Sequence, residues 1–124
     1  MEIQKIKLHE VLTCTEEESV KEIAKKLRDN KERRIFVIDE KEKLVGVITT
    51  TDLVYKALGD EGKKANQVMT TNVESVDSKE DLNKALEIMN KLKSFVCPVT
   101  EDGKIIGLIS YHDLMNYVIS SMQE

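Results

Sequence analysis

The sequence predicts an α+β fold, a mixed architecture built from two copies of one β-α-β-β-α unit. Three observations carry this reading. The stretch LVGVITTTDL, Leu44 to Leu53, returns as IIGLISYHDL, Ile105 to Leu114, and Gly46, Thr49 and Asp52 are matched by Gly107, Ser110 and Asp113, each 61 positions on. Ahead of each copy lies an apolar set at helical spacing: Val20, Ile23, Ala24 and Leu27, then Leu82, Ala85, Leu86 and Met89. The offset between copies is 62 before the hairpins (Val37 to Val99) and 61 after them (Gly46 to Gly107), so the drift is confined to a turn, where insertions are tolerated. Self-similarity of this length means a duplicated supersecondary unit. Two units of about sixty residues would each bury little core alone, so they are expected to pack together.

Taken in order, residues 1–15 alternate loosely and read as a helical turn or strand entering the domain. Thr15 or Ser19 is placed to cap a helix running from Glu16 to Arg28 and ending at Asp29-Asn30. Ile35 to Ile38 is β-branched and apolar, Asp39 to Lys43 is a charged turn, and Leu44 to Ile48 returns as a strand. Leu53, Val54, Ala57 and Leu58 form a helix ending at Gly59. The stretch 59–67, GDEGKKANQ, reads as a short linker. This sets the first repeat at residues 6–58 and the second at 68–122, within one domain of 1–124. In the second copy Val96 to Val99 and Ile105 to Ile109 are the hairpin strands, and Leu114, Met115, Val118, Ile119 and Met122 line the last helix. Cys97, beside Pro98, reads as a small core residue.

Composition narrows the function. The chain has 124 residues, 34% of them charged, with a net charge of −4, which disfavours non-specific contact with nucleic-acid phosphates. No apolar stretch approaches the roughly 18 residues of a membrane span, and a cytoplasmic location is expected. The two cysteines, Cys14 and Cys97, make neither a metal-type spacing nor a disulfide framework. No P-loop, GxGxxG motif or nucleophile-base set is present, so no catalytic residue, metal ligand or required cofactor is assigned.

Thr49-x-x-Asp52 and Ser110-x-x-Asp113 each precede an apolar helical run, and two readings stand side by side. One is a capping box, in which the hydroxyl accepts from a first-turn N–H and the carboxylate reaches back to the cap N–H. The other is a ligand site: a helix N-terminus after a strand attracts anions, the hydroxyl can donate to a phosphate, and the carboxylate accepts from a ribose diol.

The ordered, duplicated set of strand, helix, strand, strand, helix with Gly-apolar-apolar-Thr/Ser-x-x-Asp corners, seen in RRIFVIDEKEKLVGVITTTDL and VMTTNVESVDSKEDLNKALEIM, resembles a tandem pair of cystathionine beta-synthase (CBS) domains over nearly the whole chain. The resemblance implies two repeats about a pseudo-two-fold axis and clefts for an adenosine-containing ligand: AMP, ADP, ATP or S-adenosylmethionine. It implies that Asp52 and Asp113 hold ribose hydroxyls while Thr49 and Ser110 touch phosphate or ribose. One cleft would combine Ser110 and Asp113 with Val11, Thr13, Thr15, Arg33 and Arg34. The other would combine Thr49 and Asp52 with Asn72, Val73, Phe95 and Val96. The arginines suit phosphate oxygens, or else sit on a solvated strand end. His112, within the second corner, reads as an exposed loop residue or a neighbour of the ligand. A homodimer, with Tyr55 and Tyr117 packing at an interface, and an unidentified effector protein are the expected partners. The function expected is a regulatory sensor of an adenosine-type ligand; the alternative is a ligand-free scaffold using the same fold.

Overall fold

A computed structural model describes residues 1–122. The side chain of Met122, expected in the apolar set of the last helix, lies outside what is described, as do residues 123–124. Elements follow in the order β1 (Thr13–Thr15), α1 (Val20–Asn30), β2 (Arg34–Ile38), β3 (Leu44–Thr49), α2 (Thr50–Ala57), α3 (Ala65–Val68), β4 (Val76–Asp77), α4 (Leu82–Leu92), β5 (Val96–Glu101), β6 (Lys104–Ser110) and α5 (Tyr111–Met122), with a single 3-10 turn at Ile3–Lys5. Each copy makes a three-stranded sheet, β1-β2-β3 and β4-β5-β6. In both, the first pair is parallel and the second antiparallel, and both hairpins shift register after the matching valine, Val37 or Val99.

Local chemistry accounts for the elements. Ser19 caps α1 by accepting from Glu22 N–H at 3.2 Å, and Asp81 caps α4 by accepting from Asn83 N–H at 2.9 Å. Both helices end on a lysine in the left-handed conformation, Lys31 (φ 56°) and Lys93 (φ 53°), whose N–H returns to the last turn. The second hairpin turns on Asp102 (φ 54°) and Gly103 (φ 81°), a two-residue connection that needs positive φ at both positions.

The helical faces differ in detail from the expected sets. Val20, Ile23 and Leu27 are buried, but Ala24 is exposed; Leu82, Ala85 and Met89 are buried, but Leu86 is exposed and Ile88 takes its place inside. Ala24 and Leu86 stand one position beyond Ile23 and Ala85, on the edge of a stripe that each helix buries along one side. Cys14 and Cys97 are buried, and burial, the largest influence on each, pushes their thiols up to about 12 and about 11. Pro98 stands where β2 has Phe36. Phe36 N–H donates to Leu12 O at 3.0 Å; proline has no N–H to donate, and β4 pairs with β5 only from Val76 on, against Val99, one residue beyond Pro98.

Compactness groups the residues differently from the order of the repeats. The chain forms two compact units, one spanning Val11–Val73 and the other joining Met1–Glu10 to the chain from Glu74 onward. The stretch expected to be a linker ends in α3, whose Ala65 and Val68 are buried in the core of the first of these units, with Cys14, Ile23, Val37 and Ile48. The 3-10 turn at the start of the chain does the same in the other unit, where Ile3 is buried with Val76, Ala85, Val99 and Ile109. The two insertions match bond for bond: Ile3 and Gln4 donate to Glu80 O and Ser78 O, while Ala65 and Asn66 donate to Glu18 O and Glu16 O. The leading segment of each copy therefore completes the core of the other copy's helices and strands.

Each segment continues onto the outer edge of the third strand. Thr70 and Val47 exchange both backbone bonds (2.9 and 3.0 Å), as do His9 and Leu108 (2.9 and 3.0 Å). The glycine of the repeated motif makes this approach possible. A Cβ on Gly107 would meet Leu8 Cβ at 2.6 Å and His9 O at 3.0 Å; one on Gly46 would meet Met69 Sδ at 2.6 Å. Met69 can swing its flexible side-chain end away, whereas Leu8 Cβ and a backbone carbonyl are fixed. Gly107→Ala is therefore expected to destabilise by about 1–3 kcal/mol, as overpacking does, and Gly46→Ala by less. Urea unfolding of both variants checks the order, and an equal or reversed cost contradicts it.

Candidate functional site: two strand-to-helix corners

Both corners carry the reciprocal hydrogen bonds of a capping box. At the first, Asp52 N–H donates to Thr49 Oγ1 at 3.2 Å, and Asp52 Oδ2 accepts from Thr49 N–H at 2.9 Å and from the Thr49 hydroxyl at 3.1 Å. At the second, Asp113 N–H donates to Ser110 Oγ at 3.1 Å and Asp113 Oδ2 accepts from Ser110 N–H at 2.7 Å. The next N–H is spent on the residue just before the neighbouring strand in each case, Thr50 to Arg33 O at 2.9 Å and Tyr111 to Phe95 O at 2.8 Å. The strand therefore runs straight into the helix, and the aspartate is held at its first turn, where the helix dipole favours a negative charge.

What surrounds the two carboxylates differs. Lys56, one turn on from Asp52, places Nζ 3.4 Å from Asp52 Oδ1 and donates to Val68 O at 3.0 Å, so it ties α2 to the end of α3. Asp113 instead meets His9, whose Nε2 lies 3.1 Å from Oδ1 and 3.0 Å from Oδ2. A carboxylate can only accept, so Nε2 carries the proton in this contact. Burial is the largest single influence on Asp113 and pushes its carboxyl up. The backbone N–H and hydroxyl of Ser110, together with His9, outweigh it and hold the group below its ordinary value.

The first unit brings together Thr49, Asp52, Arg33 and Arg34. Arg34 is the register partner of Thr49 across β2 and β3, so the arginine pair borders the Thr49/Asp52 corner of its own sheet. The corresponding place beside Ser110 is taken by Val96, with Phe95 packed edge-on against Tyr111 at 5.8 Å between ring centres. Val11, Thr13 and Thr15 lie on or before β1, on the far side of β2 from β3. Asn72, in the left-handed conformation (φ 58°), and Val73 close the first unit just past the Thr70 bridge. His112 is exposed.

His9 and Lys56 escaped the sequence reading. The Asp52-Lys56 spacing of four on a helix was a visible signal. His9 stands 104 positions from Asp113, and only its place 61 before Thr70, next to the leucine that matches Met69, hints at its strand-edge position. Among the described residues no group of three or more His, Cys, Asp and Glu could hold a metal ion, and no helix is long and apolar enough to cross a membrane.

The CBS domain model matches this chain twice, over residues 3–59 and 65–120. The chain belongs to the CBS domain family. Its matched boundaries begin at Ile3 and Ala65, the two buried residues that open the inserted segments. An uncharacterized protein of Methanopyrus kandleri is 27% identical over 93% of this chain and 63% of its own length. The inosine-5'-monophosphate dehydrogenase of Methanocaldococcus jannaschii is 32% identical over 87% of this chain but only 22% of its own; the chain thus spans less than two thirds of these relatives. Among solved structures, the CBS domain pair of protein MJ0100, crystallised with 5'-methylthioadenosine and S-adenosyl-L-methionine, superposes with a TM-score of 0.73, 26% identity and 98% coverage of both chains.

The lowered Asp113 carboxyl has a consequence for acid stability. A group whose pKa is depressed on folding stabilises the fold above its unfolded value, here 3.8, and that contribution fades as pH falls through the folded value. Asp113→Asn is expected to lower stability at neutral pH and to differ less from the parent well below pH 3.8. Denaturant titrations at both pH values measure this; a constant difference contradicts it.

Proposed function

We propose that this CBS pair is a regulatory module that binds an adenosine-containing ligand and passes the binding event to another protein. The observation that carries the reading is the pair of corners. In each, a hydroxyl and a partly buried carboxylate are fixed by reciprocal bonds at a helix N-terminus, in a chain of a family one of whose pairs was crystallised with two adenosine compounds. The carboxylates would accept from ribose hydroxyls, Thr49 and Ser110 would donate to ribose or phosphate, and Arg33 and Arg34 would meet a phosphate. Val11, Thr13, Thr15, Asn72, Val73 and Val96 complete the proposed contacts. AMP, ADP and ATP are the leading ligand candidates, with S-adenosylmethionine next.

Binding would shift an equilibrium between arrangements of the chain or its assembly, by no more than the ligand's differential affinity for them. A homodimer is the proposed assembly. Its support is the apolar surface on and beside both second helices: Tyr55 on α2 and Leu58 just past its end are 85% and 83% exposed, and on α5 Met115, Val118 and Ile119 are exposed as well. The same surface favours the second reading, a scaffold that uses the corners only as caps.

Thermal unfolding against AMP, ADP, ATP, NAD and S-adenosylmethionine separates the two readings. A ligand at one hundred times its dissociation constant should add about 2.7 kcal/mol. Asp113→Ala and Asp52→Ala, made separately, should each remove the gain from the corner concerned. No shift with any of the five ligands favours the scaffold.

A further inference from the structure

We propose that His9 is the specificity-determining residue of the Ser110/Asp113 corner, a side chain that must leave the Asp113 carboxylate before a vicinal diol can bind there. The inference rests on the ligand reading above and adds the residue that sets the corner's preference. A carboxylate has about four acceptor positions. His9 Nε2 approaches both oxygens, at 3.1 and 3.0 Å, and Ser110 N–H takes a further position on Oδ2 at 2.7 Å. About one position then remains, on Oδ1, while a ribose diol brings two donors. With the ring in place the diol cannot be satisfied; with the ring withdrawn it can.

The ring is free to withdraw. Its side chain is 57% exposed while that of Asp113 is 15% exposed, so rotating it into water uncovers little core. The backbone of His9 stays fixed by its two bonds to Leu108, and the change is confined to the side chain. The other corner is built without such a guard. Thr70 occupies the position equivalent to His9; the Thr49 N–H and hydroxyl both fall on Asp52 Oδ2, and Oδ1 faces Lys56 Nζ at 3.4 Å, an ion pair that leaves its acceptor positions open to a diol. Two corners alike in their caps thus differ in the cost of admitting a diol.

Calorimetric titration in an Asp52→Ala background, where one corner reports, tests the proposal with AMP and 2'-deoxy-AMP as probes. Exposed ion pairs contribute about 0.2–1 kcal/mol, so His9→Ala should tighten AMP by roughly 1.4- to 5-fold. The gain should shrink for 2'-deoxy-AMP, whose single remaining donor does not need the ring displaced. His9→Gln, which keeps a neutral donor, should fall between, and it guards against a folding defect in the alanine variant. In an Asp113→Asn background His9→Ala should bring no gain. Unchanged or weaker AMP binding by both His9 variants overturns the guard while leaving the ligand reading intact. AMP binding to neither parent nor variants overturns the ligand reading and the guard with it.

Discussion

The structure depends on one close approach, a chain segment lying flat against the glycine of a third strand. Gly107 admits Leu8 and His9, and Gly46 admits Met69, because neither glycine carries a Cβ. That approach lets an outside segment pair with the strand edge that would otherwise be exposed. It also lets Ile3 in one unit, and Ala65 and Val68 in the other, fill cores that a sixty-residue repeat could not complete alone. Each copy supplies the other with its first segment, so the compact units cut across the repeats.

The approach also shapes the chemistry. A segment delivered to the third strand arrives beside the corner where that strand becomes a helix. On β6 it brings an imidazole to Asp113; on β3 it brings Thr70, and the carboxylate is met instead by a lysine of its own helix. The caps are the same because they are local, encoded in four residues. The neighbours differ because the paired segment carries His9 in one case and Thr70 in the other, and because Lys56 of α2 is matched by Tyr117 on α5.

That division also explains what the sequence disclosed. The helices, the antiparallel hairpins with the longer first turn and the capping boxes were legible, since each rests on residues close together in the chain. Glycine was read as part of an apolar strand, when its role is set by residues 23 positions ahead of Gly46 in the chain and 99 behind Gly107. Residues 59–67 hold the gap between the two family matches, and their polar composition hides that Ala65, near their end, is buried. Ala24 and Leu86 looked like core because the periodic pattern does not fix the width of the buried stripe. His9 had no local signal at all.

Amide hydrogen exchange on a chain lacking Met1–Glu10 tests whether the leading segment holds the other copy's core together. Removing that segment takes Ile3 from the second core and uncovers Gly107 and the edge of β6, leaving the first unit's composition untouched. β4, β5, β6 and α4 are expected to lose protection while β1, β2, β3 and α1 keep theirs. Undiminished protection across β5 and β6 would contradict this.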